Sequence, residues 1–234
     1  MVVCPGILIN WDGIEGLKEN LGRNEICSVY GFEQSKYTYE VVKNFSGGVA
    51  LFTSAATPVK CGGAPQKIMY LTADNLRRRG MLSVVQIHFM NAGKVLFGIG
   101  KYRKALQGAC DRYGIRQHHR HNLVKIDGVN KIATFQVTEE DGSISKLEKR
   151  FDVMHVTPPQ SAPDFIADSG LGDAHGWMDV DKHTLKHTYY NNIYGLGDCT
   201  NTKNAKTGAA VRKQVPVLVE NLVADITNRP LIGR

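Results

Sequence analysis

The sequence contains no GxGxxG fingerprint, no two cysteines at CxxC spacing, and no apolar run close to the roughly 20 residues that a bilayer-spanning helix requires. Without the glycine fingerprint, this stretch cannot supply the phosphate cradle that opens a dinucleotide-binding βαβ unit. Five cysteines in 234 residues, none at CxxC spacing, argue against a secreted disulfide framework. The start, Met1-Val2-Val3-Cys4-Pro5-Gly6-Ile7, lacks both the charged and long apolar regions of a signal peptide and the arginines of a transit peptide, so no targeting segment is expected. Lys and Arg exceed Asp and Glu by 29 to 22, a net charge of +7, yet the basic residues are scattered. With no recognition helix, zinc finger or basic-aromatic signature, nucleic acid is not an expected partner. An apolar content of 42% with 22% charge is ordinary for a globular chain of one large or two small domains.

What is present alternates. Val2-Val3 reads as a strand, Leu17 to Leu21 as a short helix, and Val49 to Thr53 as a buried parallel strand. Pro65 stands in the first turn of a helix that carries Ile68, Leu71 and Leu76 on one face and ends at Gly80. Val84 to Phe89 then completes a βαβ unit. A further helix, Lys101 to Tyr113, stacks Tyr102, Leu106, Ala109 and Tyr113 and stops at Gly114. Between residues 122 and 151 the pattern changes to three alternating runs separated by Asp127-Gly128 and Asp141-Gly142, the signals of an antiparallel insert. Phe151 to Val156 and Asn192 to Leu196 return as strands. Thr207 to Ile226 closes the chain as a helix with Val211, Val215, Leu218, Leu222 and Ile226 on one stripe.

Two cysteines carry the chemistry. Cys61, in Lys60-Cys61-Gly62-Gly63-Ala64-Pro65-Gln66-Lys67, and Cys199, in Gly195-Leu196-Gly197-Asp198-Cys199-Thr200-Asn201, each follow a predicted strand and precede a predicted helix. If the thiols meet, the chain is a redox enzyme working on sulfur. Thiol exchange proceeds through a thiolate, and Lys60 and Lys67 flank Cys61 as candidate activators. Gly197 permits close backbone approach, and Asp198 offers a carboxylate to a ribityl hydroxyl. The Lys206-Thr207 start of the closing helix presents free N–H groups to flavin or phosphate oxygens. Cys110 reads as core. Cys27 reads either as an auxiliary sulfur carrier or as a solvent-loop thiol. His118, His119 and His121 read as a solvated basic loop, and no metal site is expected.

The stretches Thr57-Pro58-Val59-Lys60-Cys61-Gly62-Gly63-Ala64-Pro65-Gln66-Lys67, His155-Val156-Thr157-Pro158-Pro159 with Pro163-Asp164, Gly176-Trp177-Met178-Asp179 and Gly197-Asp198-Cys199-Thr200-Asn201 together resemble the sulfide:quinone oxidoreductases, in the branch nearest the mitochondrial enzymes. The resemblance implies an α/β flavoprotein with two Rossmann-like dinucleotide-binding domains, here incomplete, and an antiparallel β insert. It implies residues 1–45 as a remnant of the first FAD-binding domain, 46–150 as the second Rossmann-like domain with the insert, and 151–234 as the return to the FAD domain. It further implies Cys61 and Cys199 as the redox pair, joined by Cys27 as a third catalytic candidate. Gly197, Asp198, Pro158, Pro159, Asp164 and position 207 would contact FAD. Hydrogen sulfide is the implied substrate, a quinone the electron acceptor, and glutathione, sulfite or sulfide the sulfur acceptor. The implied location is the face of the mitochondrial inner membrane, or of the cytoplasmic membrane in a bacterium.

Measured against that family, the chain is expected to lack an opening region with the FAD fingerprint and a closing quinone-binding region. A non-catalytic remnant unable to hold FAD is therefore one alternative. An NADH-dependent dithiol flavoprotein is another, opposed by Cys61-Gly62-Gly63-Ala64-Pro65 standing where a nicotinamide site would need its glycine fingerprint.

Overall fold

Short apolar runs bounded by glycine, alternating with amphipathic stretches, build a parallel sheet with helical crossovers. The computed structural model describes residues 1–233. In chain order its elements are β1 (Val2–Val3), β2 (Leu8–Ile9), α1 (Leu17–Asn20), β3 (Ile26–Cys27), α2 (Phe32–Asn44), β4 (Gly48–Ser54), α3 (Ala64–Arg78), β5 (Val85–Asn91), α4 (Gly100–Tyr113), β6 (Arg116–His119), β7 (His121–Asp127), β8 (Ile132–Thr138), β9 (Ile144–Arg150), β10 (Val153–His155), β11 (Gln160–Ser161), α5 (Asp164–Asp168), β12 (Tyr194–Gly195) and α6 (Gly208–Ile226). Two compact units result. One holds residues 10–56 and 63–159; the other holds 1–9, 57–62 and the chain from Gln160 onward. These boundaries differ from cuts at 45 and 150, because β3 and α2 join the sheet built by β4 and β5.

In the first unit five strands run parallel in the order β3-β10-β4-β5-β6, with β4 and β5 paired along their full length from Gly48–Val85 to Ser54–Asn91. Parallel strands sandwiched between covering layers read as continuous apolar runs, and Ala50, Leu51 and Phe52 are buried accordingly. Strands β7, β8 and β9 form the antiparallel insert, with Phe135 and Ala133 of the central strand fully buried. The βαβ unit β4-α3-β5 and the insert both match the sequence expectation. Three expectations do not hold. The buried face of α3 is Gln66, Met69, Thr72, Ala73 and Leu76, while Leu71 is 68% exposed. On α6 the buried residues are Leu218, Asn221 and Ala224, and Val215 and Ile226 face outward. His118 and His119 lie on strand β6 and His121 on β7, not in a loop.

The second unit is built on β1 paired parallel with β12 and β2 paired antiparallel with β11. Its core gathers Ile166, Met178, Tyr194, Cys199 and Leu218. Gly195 is required there: a Cβ at that position would stand 2.4 Å from Met178 Sδ and 3.0 Å from Val180 Cγ1. Among the described residues, no helix is long and apolar enough to cross a membrane.

Candidate active site

Cys61 and Cys199 fall in the same unit, and Lys206 connects their segments. The Cys61 amide donates to the Lys206 carbonyl at 2.8 Å, and Lys60 and Lys206 form a parallel bridge. From the same residue the side chain turns toward Cys199: Nζ donates to the Asp198 carbonyl at 2.7 Å and to the Thr200 carbonyl at 2.9 Å. Its ammonium also lies 3.9 Å from the centroid of the Trp177 ring, a cation–π contact. The opposite flank is held by Gln160, whose Oε1 accepts from the Lys60 amide at 2.9 Å and whose own amide donates to Thr57 Oγ1 at 2.9 Å.

The two thiols differ in state. Cys61 is half-buried and adopts φ of +49°, in the left-handed region that a side-chain-bearing residue enters at a cost. Strain held at a reactive residue is a mark of functional sites. Cys199 is fully buried, its thiol 3.5 Å from the Leu196 carbonyl and 3.9 Å from that of Val3. Burial pushes this thiol up to about 11, with Lys206 and the Gly6 amide pulling the other way. All five cysteines are reduced thiols. As the sequence reading has it, Cys199 precedes a helix: α6 begins at Gly208 with Thr207 as its N-cap, and residues 201–206 run between them.

A cleft of about 570 Å³ adjoins both segments, lined by Pro58, Val59 and Gly62 beside Cys61 and by His175, Trp177 and Asn201. Asp198 is half-buried, and its carboxylate acts electrostatically on the Lys206 ammonium. The Gly197 amide is already taken by Gln214 Oε1 at 2.9 Å, and φ of +84° explains the glycine. Thr207 is the N-cap of α6, its hydroxyl accepting from the Ala210 amide at 3.2 Å. Lys206, beside it in the chain, aims its ammonium at the Cys199 turn. Asp164 opens α5 and is exposed.

Of the other candidates, Pro158, Pro159, Cys27 and Cys110 lie in the first unit and Cys4 in the second. Pro158 is buried, and Pro159 is half-buried with its carbonyl accepting from the Asn10 amide at 2.9 Å. Cys27 is neither a loop thiol nor an accessible sulfur carrier: it sits on β3, 1% exposed, its thiol pushed up to about 12 by burial. Cys110 is core, as expected, and Cys4 is exposed. Sequence reasoning missed Lys206 as a clamp, and the signal available was its place seven residues after Cys199 in an otherwise polar loop.

The parallel sheet with helical crossovers and the antiparallel insert define a Rossmann-like α/β fold. No protein-family model matches the chain. It is similar to the mitochondrial sulfide:quinone oxidoreductases: it is 40% identical to that of Dictyostelium discoideum and 37% to that of Mus musculus, over 99% of its own length in each case. The chain spans about half the length of these relatives, 50% and 51%. The sulfide:quinone oxidoreductase of Aquifex aeolicus shares the fold with a TM-score of 0.76 at 19% identity, covering 98% of this chain and 55% of that one.

Proposed function

We propose that this chain is the thiol-bearing portion of a flavin-dependent enzyme that oxidises hydrogen sulfide and passes the electrons to a quinone. The observation that carries this reading is the stitching of the Cys61 and Cys199 segments by one residue, Lys206, beside an open cleft. In the oxidised form the two cysteines share a disulfide. Hydrosulfide enters the cleft and attacks Cys61 Sγ, the more accessible sulfur. A new S–S bond forms on Cys61, the bond to Cys199 breaks, and its electron pair leaves as the Cys199 thiolate.

Bound FAD would supply a two-electron acceptor that hands the electrons on to the quinone. The half-buried carboxylate of Asp198 fits a hydroxyl-bearing cofactor, with Gly197 next to it in the chain and Thr207 at the start of α6 as further proposed contacts. Pro158, Pro159 and Asp164 are proposed cofactor contacts on the resemblance alone. The persulfide sulfur on Cys61 then leaves to a small nucleophile, for which glutathione, sulfite and sulfide are the candidates. A mitochondrial location follows from the naming of the relatives, and contact with the inner-membrane surface is part of the proposal.

The test is sulfide-dependent bleaching of flavin absorbance by the FAD-loaded protein, paired with mass spectrometry of the Cys61 peptide. A gain of one sulfur on Cys61 is expected. Cys61→Ser and Cys199→Ser should each reduce bleaching at least about a hundredfold. Full bleaching by either variant would refute the assignment.

A further inference from the structure

The sulfide reading leaves a difficulty at Cys199. A leaving thiolate must form at a sulfur with no exposed surface, where burial favours the neutral form. Lys206 is nearly as buried, 8% exposed, and a lysine so placed needs its charge compensated. Its three contacts are two carbonyls, those immediately before and after Cys199, and the face of Trp177. All three are partners that favour an ammonium over an amine. None is a carboxylate oxygen, so the positive charge is held without being neutralised by a salt bridge.

We propose that Lys206 is a positioning residue for Cys199: its caged ammonium both fixes the turn around the sulfur and provides the counter-charge that allows this buried thiol to ionise. The proposal rests on the sulfide-oxidising reading for its purpose, though not for its test. The groups that bear on Cys199 are few. Cys4 opposes its ionisation and Lys206 favours it. Burial lowers Lys206 from its ordinary value, while Asp198, Cys199 and Asp173 support its charge. The Cys199 and Gly6 amides add neutral donors. Among the described residues, removing the charge of Lys206 therefore removes the one cation that acts on this sulfur.

The clean variant is Lys206→Gln, which keeps N–H donors for the two carbonyls and loses the charge. Alkylation of each cysteine in the 234-residue chain, followed peptide by peptide by mass spectrometry across pH, reads the ionisation of Cys199 directly. The midpoint for Cys199 should move up by about one pH unit, with alkylation at neutral pH slowed about tenfold and a melting temperature near that of wild type. Lys206→Arg, which keeps a charge, should move it less. An unmoved midpoint in Lys206→Gln overturns the proposal, as does a fall in melting temperature with the midpoint unchanged, which would make the contact purely structural. Should Lys206→Gln not fold, Lys206→Arg decides: with the charge kept, the Cys199 midpoint should stay within about half a pH unit of wild type, and a rise of about one unit or more overturns the proposal. Failure of sulfide to bleach the flavin would sink the functional reading while leaving this result intact.

Discussion

At the scale of single residues, the informative feature is a backbone angle. Cys61 is held at φ of +49° although a Cβ makes that region unfavourable by about 1–2 kcal/mol. A glycine would fit the same turn without strain, and Gly62 and Gly63 follow immediately. The chain keeps a thiol at the strained position and glycines beside it. Comparing Cys61→Ala with Cys61→Gly isolates the cost, since neither retains sulfur. Chemical denaturation should find the glycine variant more stable by about 1 kcal/mol. A more stable alanine variant would mean that the turn relaxes and the strain is not real. The angle was invisible in the sequence, where the Cys-Gly-Gly run announces a flexible loop without saying which residue bears the left-handed conformation. The loop was legible; the conformation within it was not. Lys206 shows the same division: its place at a helix start is plain in the sequence, and the turn of its side chain back to the Asp198 and Thr200 carbonyls is not.

At the scale of elements, strands were legible where burial makes them uniformly apolar, and helices failed where the buried face is polar. On α3 the core face includes Gln66, whose Nε2 donates to the Leu96 carbonyl at 2.6 Å, and Thr72, whose hydroxyl donates to the Ile68 carbonyl at 2.7 Å. Satisfied polar groups can replace apolar ones on a core face, and a periodicity count misses them. Helix α2 escaped notice altogether because only Thr38 and Val41 are buried on it. Strand β6 was obscured by its composition, Arg116-Gln117-His118-His119. The junction between α1 and the insert is a further element whose role only the structure shows. The Glu15 amide donates to the Val124 carbonyl at 3.1 Å and the Ile126 amide returns to Glu15 O at 2.8 Å. Gly16 sits at that latch with φ of +78°, and an added Cβ would lie 2.1 Å from the Ile126 carbonyl oxygen. Backbone on both sides leaves nothing to rotate away. Gly16→Ala should cost at least about 2 kcal/mol, combining left-handed strain with overpacking. Hydrogen exchange should show the Ile126 amide losing protection before the β4-β5 ladder. Unchanged protection at Ile126 would show that the latch does not depend on this glycine.

At the scale of the molecule, the buried histidines set how the protein meets acid. His155 on β10 is 1% exposed and accepts the Val29 amide at Nε2, 3.1 Å away, which requires that nitrogen to be unprotonated. Burial lowers its value from 6.5 to about 3. His88 and His118 share a ring-to-ring hydrogen bond of 2.9 Å, and burial, with Lys149 nearby, lowers both to about 4. In an unfolded chain each imidazole would protonate near the ordinary value. Between that value and the folded one, the unfolded state therefore binds more protons, and folding stability rises with pH. The contribution is complete above about pH 6.5 and is lost progressively as pH falls toward the folded values. For His155 the loss approaches about 1.4 kcal/mol per pH unit within that window. Thermal melts should show the buried histidines' contribution to the melting temperature level above about pH 7 and falling steeply below about pH 6. His155→Gln, which can still accept from the Val29 amide but does not titrate, should lessen the fall. If it leaves the slope below about pH 6 as steep as in wild type, the acid sensitivity does not arise from His155, and the histidines of β5 and β6, His119 included, become its first candidates.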